Sequence, residues 1–143
     1  MSPVRGKLVS ICLLTYNHES VIRSTLETVL DQTLDGYEVI VSDDCSTDGT
    51  FAVVEEMAKA DPRIRAIRTP RNMGMAGNAN FAVAQSERPF IALLHHDDLY
   101  RRDLLEQWLD LIEAHEDMTF VFNAYGVEHS DFVYRGDFPP RID

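Results

Sequence analysis

The sequence predicts an α/β fold, in which a mostly parallel sheet carries helices on both faces. Apolar runs of strand length alternate along the chain with segments of helical periodicity. Polarity changes abruptly where these runs end, most clearly at His95 after the continuously apolar run 90–94. Such a run is typical of a strand buried on both faces. Ligands of open α/β sheets bind at the carboxyl ends of the strands, so we expect the functional site there.

The predicted elements form one domain over residues 1–143, with the first strand in the centre of the sheet. Period-two and continuously apolar runs predict strands over residues 8–14, 37–42, 63–68, 90–94 and 118–124. Apolar residues at three- and four-residue spacing predict helices over residues 19–33, 50–59 and 102–115, and a segment rich in small residues predicts another over residues 78–86. The connections should be right-handed, as in other parallel sheets.

Composition excludes several classes of function. The formal net charge of −11 argues against nucleic acid as a partner, because nucleic acid requires a basic surface. The apolar runs are too short to span a bilayer, and we find no signal peptide. The two cysteines, Cys12 and Cys45, are expected to be buried, reduced thiols. We therefore expect a cytoplasmic protein, or one held at the inner face of a membrane by other segments or partners.

Polar side chains cluster at the ends of three predicted strands. Carboxylates in such a position are oxygen ligands suited to Mg²⁺ or Mn²⁺, which often also hold the phosphates of a substrate. Since the carboxyl ends of parallel strands share one edge, the three clusters should converge on one cleft. The clusters are Thr15-Tyr16-Asn17, Asp43-Asp44 and His95-His96-Asp97-Asp98.

Each cluster also has a purely structural interpretation. Thr15 and Asn17 could be turn and cap residues. Asp43 or Asp44 could bind the backbone at the start of the next helix, and Asp98 could cap the helix that follows it. These interpretations do not explain why carboxylates accumulate at several junctions of the same kind.

Four segments of the chain together resemble the family 2 glycosyltransferases, which are nucleotide-sugar transferases of the GT-A fold. The segments are LVSICLLTYNHESVIRSTLETVLDQT, YEVIVSDDCSTDGT, RNMGMAGNANFAV and LLHHDDLY, and the resemblance covers roughly residues 7–125. The chain departs from the family pattern at Cys45, where glycine is usual, and at His95, where the first aspartate of an Asp-x-Asp-Asp signature usually stands.

The resemblance implies a donor site for a UDP- or GDP-linked sugar. Asp43 or Asp44 would accept hydrogen bonds from the nucleobase and ribose, and a carboxylate suits their N–H and O–H donors. Arg71 would offset the charge of the diphosphate, with Arg68 as an equally placed candidate. Other residues expected at the donor site are Thr15, Tyr16, Asn17, Asn78 and His96.

The same resemblance assigns the metal. Asp97, with Asp98 beside it, would bind Mg²⁺ or Mn²⁺, and the ion would stabilise the leaving nucleoside diphosphate as a Lewis acid. His95 and His96 would be partners of the ligands or contacts to the sugar or phosphate. An alternative that stays open is that both histidines only line the rim of the cleft.

The catalytic base is not identified by the resemblance. The family usually places it on an acceptor-side segment beyond the metal motif, and we expect that portion to be missing here. Asp131 and Asp137 are the weak candidates that remain. Uncovered apolar surface beside Phe120, Phe122 and Tyr125 would then favour a homo-oligomer.

The sequence thus predicts an inverting glycosyltransferase, with this chain as its donor-binding half and an acceptor that is unknown. The alternative is a non-catalytic module that binds nucleotide sugars or supports assembly. A phosphate-accepting receiver domain fits poorly, because the first strand ends in Thr15-Tyr16-Asn17 and not in an acidic pair. A dinucleotide-binding domain is also disfavoured, since no Gly-x-Gly-x-x-Gly follows that strand.

Overall fold

The computed structural model describes residues 3–121, with side chains from residue 5 onward, as a parallel sheet between two layers of helices. The strands are β1 (Val9–Thr15), β2 (Glu38–Asp43), β3 (Ile64–Arg68) and β4 (Phe90–His95). The helices are α1 (Pro3–Gly6), α2 (Ile22–Leu30), α3 (Thr50–Ala60), α4 (Gly74–Ala84) and α5 (Leu104–Ala114).

The sheet has the order β3-β2-β1-β4, and every pairing is parallel. The prediction that β1 lies inside the sheet is therefore confirmed. The chain runs outward from β1 to β3 and then returns through α4 to place β4 on the other side of β1. The order of strands thus reverses between β1 and β4. In open α/β sheets such a reversal leaves a crevice at the carboxyl ends of the strands, where ligands bind.

The larger core lies on the sheet face covered by α2, α3 and α5. Ile11 and Leu13 of β1 point to this face, and each is completely buried. They pack in one cluster with Leu26 of α2, Val54 of α3 and Leu105 of α5. Full burial of a side chain of this size contributes roughly 1.5–3 kcal/mol, so this face supplies most of the stability of the fold.

A smaller core lies on the opposite face, beneath α4. Cys12, Leu14 and Ile40 are buried there against Ala82. The small residues of α4 let the helix lie close to β1 and β2, and this placement confirms helices on both faces of the sheet. Burial raises the pKa of the Cys12 thiol to about 11, so this cysteine stays protonated. Cys45 is half-buried, and both cysteines are free.

The prediction that β4 is buried on both faces is wrong. Ile91 and Leu93 remain 37% and 45% exposed. They lie beside Ser10 and Cys12 of β1 on the face where α4 packs over β1 and β2. A continuously apolar run shows that a strand is apolar on both sides, but it does not show that a helix covers each side.

Three further expectations concern the region after β4. Asp98 does not cap the following helix, because α5 begins at Leu104 with Asp103 at its N-cap position. No strand is present over residues 118–121, and the rest of the predicted fifth strand lies outside the described residues. Phe120 is 73% exposed, while Phe122 and Tyr125 lie outside the described part of the chain.

Within residues 3–121, no helix is both long enough and apolar enough to cross a bilayer.

Candidate functional site

A cleft of about 420 Å³ lies at the carboxyl ends of the strands, at the point where the strand order reverses. Its walls come from the ends of β1 and β4, from the residue after β2 and from the start of α4. It therefore brings together side chains that are far apart in the sequence. Five of the predicted site residues line it: Thr15, Tyr16, Asp44, Asn78 and His96.

The end of β1 contributes the buried hydroxyl of Thr15 and the side chain of Asn17, which hydrogen-bonds to the loop after β2. Thr15 is only 1% exposed, and its Oγ1 has no hydrogen-bond partner among the described residues. Asn17 adopts a left-handed φ of 51°, and its Oδ1 accepts a hydrogen bond of 2.7 Å from the backbone N–H of Thr47. The Asn17 N–H in turn donates to Ser46 Oγ at 2.9 Å. Asn17 is thus a turn residue, as the structural interpretation predicts, and it joins the loop after β1 to the loop after β2.

The two aspartates after β2 have different environments. Asp43 is completely buried, and its Oδ2 accepts a hydrogen bond of 3.0 Å from the Ser46 N–H. The same oxygen lies 3.4 Å from Nε of Arg68. Asp43 therefore organises the loop, although its Oδ1 is buried without a partner among the described residues. Asp44 is the member of the pair that lines the cleft.

The two candidate arginines also differ. Arg68 donates to the Ser46 carbonyl at 2.6 Å, forms an ion pair with Asp43 and lies over the ring of Phe51. Its guanidinium is thus largely committed to the protein. Arg71 is exposed on the loop before α4, and no hydrogen bond or ion pair engages it within residues 5–121. Of the two, Arg71 has the cation that remains available to a ligand.

Asn78 connects α4 to the sheet. It is 2% exposed, and its Nδ2 donates to the Ser42 carbonyl at 2.9 Å. Its Oδ1 accepts from the Ser42 hydroxyl at 2.6 Å. Although Asn78 lines the cleft, its amide is engaged by β2, so it positions the wall formed by α4.

The end of β4 is held by one tyrosine. The His95 N–H donates to the Tyr100 hydroxyl at 2.8 Å, and that hydroxyl donates to the His95 carbonyl at 2.9 Å. Burial raises the pKa of Tyr100 far above its ordinary value, so the phenol remains a neutral donor. This clamp fixes the backbone from which His96 and Asp97 project.

A group of potential metal ligands stands at this strand end. His18, His96 and Asp97 each offer one ligand atom, and these atoms lie within 4.8 Å of one another. The rings of His18 and His96 are in contact, with centroids 3.7 Å apart. Burial lowers the pKa of the His96 imidazole, and the nearby His18 lowers it further, which favours the neutral form that binds metals. Two imidazoles and an exposed carboxylate fit a divalent cation.

This group differs from the predicted metal site in two respects. Asp97 belongs to it, but Asp98 does not, and Asp98 instead lies 3.5 Å from the Tyr100 hydroxyl. His18 was not predicted. It follows the turn after β1, and only the pairing of β1 with β4 brings that turn beside the metal motif. The only feature of the sequence that could have indicated His18 as a site residue is its position just after the strand predicted to be central.

A second depression, of about 490 Å³, lies at the opposite end of the strands. Its three arginines are engaged by the protein itself. Arg63 is paired with Asp61, Arg65 donates to the Gln85 carbonyl, and Arg88 donates to three backbone carbonyls. The depression is larger than the cleft, but its cations are already used, so the chemistry of a binding site is concentrated at the carboxyl ends.

The fold and the site define a class of protein: an α/β domain whose strand ends carry carboxylates and a group of potential metal ligands around one cleft. Comparison with known proteins makes the class specific. Residues 10–140 match the model of the family described as glycosyl transferase family 2, and the chain belongs to this family.

Several relatives agree with this assignment. The chain is 34% identical over 139 residues to the Escherichia coli protein named UDP-Glc:alpha-D-GlcNAc-diphosphoundecaprenol beta-1,3-glucosyltransferase WfaP, which covers 96% of the chain. The chain spans only part of the length of these relatives, 54% of WfaP and 49% of the E. coli glucosyltransferase WfgD.

Solved structures confirm the GT-A glycosyltransferase fold. The mannosyltransferase PcManGT from Pyrobaculum calidifontis, in complex with GDP-Man and Mn²⁺, superposes with a TM-score of 0.70 at 25% identity. The match covers 73% of this chain and 32% of that one. Residues 1–349 of S. aureus TarS, in complex with UDP-GlcNAc, give a TM-score of 0.68 at 30% identity, covering 76% of this chain and 32% of that one.

Proposed function

We propose that this chain supplies the donor- and metal-binding half of an inverting glycosyltransferase that uses a nucleotide-diphosphate sugar. The observation that carries the proposal is the convergence of three strand ends on one cleft at the switch point of the sheet. Membership of glycosyltransferase family 2 supports it. So do the relatives, since WfaP is named for UDP-Glc, and the two structures hold GDP-Man with Mn²⁺ and UDP-GlcNAc.

The nucleoside would bind between the ends of β1 and β2. Asp44 lines the cleft, and its carboxylate can accept hydrogen bonds from the N–H groups of uracil or guanine or from ribose hydroxyls. The Thr15 hydroxyl is buried at the same edge without a partner among the described residues, so a ligand hydroxyl or carbonyl would satisfy it. Tyr16, which is 41% exposed, provides a flat surface for the base or ribose.

The diphosphate needs local positive charge, because the chain as a whole carries −11. Asp97 would hold a divalent cation, Mg²⁺ or Mn²⁺, beside the cleft. When bound, such a cation acts as a Lewis acid that stabilises the leaving nucleoside diphosphate. Arg71 would add a guanidinium that can bind phosphate oxygens in a bidentate manner.

The catalytic base remains a hypothesis. The two candidates, Asp131 and Asp137, lie outside the described residues. The acceptor, the homo-oligomer and the cytoplasmic location likewise stay predictions. A positioned base typically contributes about 10²–10⁴-fold to the rate, so its identity decides whether the 143-residue chain turns over.

A thermal-shift panel of nucleoside diphosphates, with and without Mn²⁺, tests donor binding. A ligand that binds only the native state at about 100 times its Kd stabilises it by about 2.7 kcal/mol, which raises the Tm by several degrees. We expect UDP or GDP to raise the Tm, and more so with Mn²⁺. The matched nucleosides uridine and guanosine, which lack the diphosphate, should show no Mn²⁺-dependent increase. A panel in which no diphosphate raises the Tm would refute the proposal.

A non-catalytic nucleotide-sugar-binding module is the second candidate, because the chain spans only about half the length of WfaP and of WfgD. Both candidates predict the same thermal shifts. They differ in turnover, which radiolabelled sugar transfer to lipid-linked acceptors would measure. Multiple turnovers by the 143-residue chain would exclude the module and lead to Asp131→Asn and Asp137→Asn as the next variants.

A further inference from the structure

The pairing of β1 with β4 brings two sequence-distant histidines to one point. Leu14 lies opposite His95 in the register, so the turn after β1 and the turn after β4 are neighbours. His18 comes from the first turn, and His96 comes from the second. Their rings are in contact, and Asp97 offers a carboxylate oxygen to the same group.

Both histidines are oriented by the same kind of hydrogen bond. Nδ1 of His18 lies 2.9 Å from the carbonyl oxygen of Tyr16, and Nδ1 of His96 lies 3.1 Å from the carbonyl oxygen of Leu14. A carbonyl oxygen can only accept, so each Nδ1 must carry the hydrogen. In the neutral ring, Nε2 then carries the lone pair. Metal-binding histidines in proteins are held in this way, with the second ring nitrogen donating to a carbonyl or carboxylate.

The three potential ligands are close together, but they do not have the spacing of a formed site. Bonds of about 2.0–2.2 Å to nitrogen and oxygen place two ligand atoms on one ion at most about 4.4 Å apart. Each of the three side chains offers an atom within 4.8 Å of the others, but the two rings, with centroids 3.7 Å apart, must turn apart before both can face one ion. Rotation of the exposed Asp97 side chain can bring its carboxylate towards the two imidazoles, each of which is oriented by a carbonyl oxygen at Nδ1.

The donor set determines which ion fits. Mg²⁺ prefers an octahedron of oxygen ligands and keeps several waters, whereas imidazole nitrogens suit Co²⁺ and Zn²⁺. We propose that His18 and His96 bind the divalent cation together with Asp97, and that the site therefore takes Co²⁺ or Zn²⁺ in preference to Mg²⁺. This inference deepens the proposed function, because it concerns the cation at the same donor site.

Metal titration without nucleotide tests the inference separately from sugar-donor binding. Calorimetry and the visible absorption of Co²⁺ should be measured on the untagged 143-residue chain, since a polyhistidine tag would itself bind Co²⁺. We expect Co²⁺ to bind at least about tenfold more tightly than Mg²⁺, with absorption bands that report nitrogen ligation. Tighter binding of Mg²⁺ than of Co²⁺ would overturn the proposal.

Variants identify the ligands. His18→Ala and His96→Ala should each weaken Co²⁺ binding at least about tenfold and change its absorption, while Mg²⁺ binding changes much less. His18→Asn guards against misfolding, because an asparagine amide can still donate to the Tyr16 carbonyl but offers no imidazole lone pair. His115→Ala, a half-buried histidine at the end of α5, is the matched control and should leave both affinities unchanged.

The outcomes separate this inference from the proposed function. Equal Co²⁺ affinities for the parent and for a folded His18→Asn variant would refute the role of His18, whatever nucleotides bind. Co²⁺ binding that depends on His18 and His96 would support the inference. It would do so even if every nucleoside diphosphate failed to bind, a result that would refute only the proposed function.

Discussion

The Oδ1 atom of Asp44 lies 2.7 Å from the backbone nitrogen of Met73, so a single carboxylate oxygen holds the loop that leads into α4. The same oxygen accepts a hydrogen bond of 3.0 Å from the Thr69 hydroxyl. Asp44 is 3% exposed and also lines the cleft. The residue therefore has two roles, one in the stability of the fold and one at the proposed donor site.

Two substitutions of Asp44 separate these roles. Asp44→Ala removes both hydrogen bonds and leaves the Met73 N–H without its acceptor, so we expect the free energy of unfolding to fall by about 1–3 kcal/mol. Asp44→Asn retains an oxygen at the same place and should cost less. Both should weaken UDP or GDP binding, because the charged acceptor is lost. Urea unfolding measures the first effect, and calorimetry measures the second. Unchanged nucleotide affinity in Asp44→Asn would remove Asp44 from the donor site.

The order and type of the elements from β1 to α5 could be predicted from the sequence because most of them have a clear local pattern. The exception is α4, which has no apolar stripe and begins at Gly74, four residues before its predicted start. The burial of β4 could not be predicted, since local apolarity does not show that α4 packs over β1 and β2 and leaves Ile91 and Leu93 partly exposed. The same reasoning applies to the metal-ligand group. His18 joins Asp97 only through the pairing of β1 with β4, and sequence spacing carries no record of that pairing.

The aspartate pair after β2 illustrates a different limit. Two adjacent carboxylates in a polar loop look equivalent in the sequence. In the structure Asp43 is completely buried against Ser46 and Arg68, while Asp44 lines the cleft. Which neighbour faces a ligand depends on the path of the backbone, which the residue types alone do not determine.

Asp97→Asn should retain the fold, because the side chain is exposed, and should abolish the Mn²⁺-dependent part of nucleotide binding. An amide is a much weaker ligand for a divalent cation than a carboxylate. Removing a side chain that only orients a metal ligand lowers metal affinity about 10–100-fold. Asp97 would be a ligand itself, so we expect Asp97→Asn to lower Mn²⁺ affinity by at least this factor. Calorimetry of UDP or GDP with Mn²⁺, and again with a chelator, measures the difference.

Asp98→Asn provides the comparison for Asp97. Asp98 lies outside the group of potential ligands, so its substitution should have the smaller effect on Mn²⁺-dependent binding. A loss in Asp98→Asn equal to that in Asp97→Asn would restore the paired site predicted from the sequence. Equal affinity of Asp97→Asn and the parent, with Mn²⁺ present, would reject the metal assignment.

The Asp61–Arg63 pair should contribute to the acid stability of the domain. The Arg63 guanidinium, 2.7 Å from Asp61 Oδ2, lowers the pKa of the Asp61 carboxyl below its ordinary value. A carboxyl with a lower pKa in the folded state stabilises the fold above its unfolded pKa of about 3.9, and this stabilisation is lost as the pH falls through the folded value. Asp61→Asn should thus be less stable than the parent at pH 7.

The pH dependence distinguishes this pair from a general effect of charge. The difference in stability between the parent and Asp61→Asn should shrink as the pH falls below about 4, because the parent then loses the same interaction. Glu55→Gln, at an exposed position of α3, removes one negative charge elsewhere and should show little pH-dependent difference. Urea unfolding at a series of pH values measures these differences. A constant difference across the series would contradict the ion-pair explanation.

Cys45 occupies a backbone conformation that favours glycine. Its φ is 58°, in the left-handed region, where a residue with a Cβ atom loses roughly 1–2 kcal/mol. Its thiol makes one weak hydrogen bond, from Sγ to the Thr69 carbonyl at 3.1 Å. This conformation explains why glycine usually stands here in proteins that the sequence resembles.

Cys45→Gly should therefore stabilise the domain by up to about 1 kcal/mol, because relief of the strain outweighs the added freedom of the unfolded glycine, about 0.5–1 kcal/mol. Cys45→Ala is the control: it loses the same thiol but keeps the Cβ atom, so it should be less stable than Cys45→Gly. Asn17→Gly should destabilise despite its similar φ of 51°, since the Asn17 side chain accepts from Thr47. Urea unfolding of the three variants ranks them, and a Cys45→Gly variant less stable than Cys45→Ala would show that the strain of the left-handed backbone is smaller than the entropy cost of glycine.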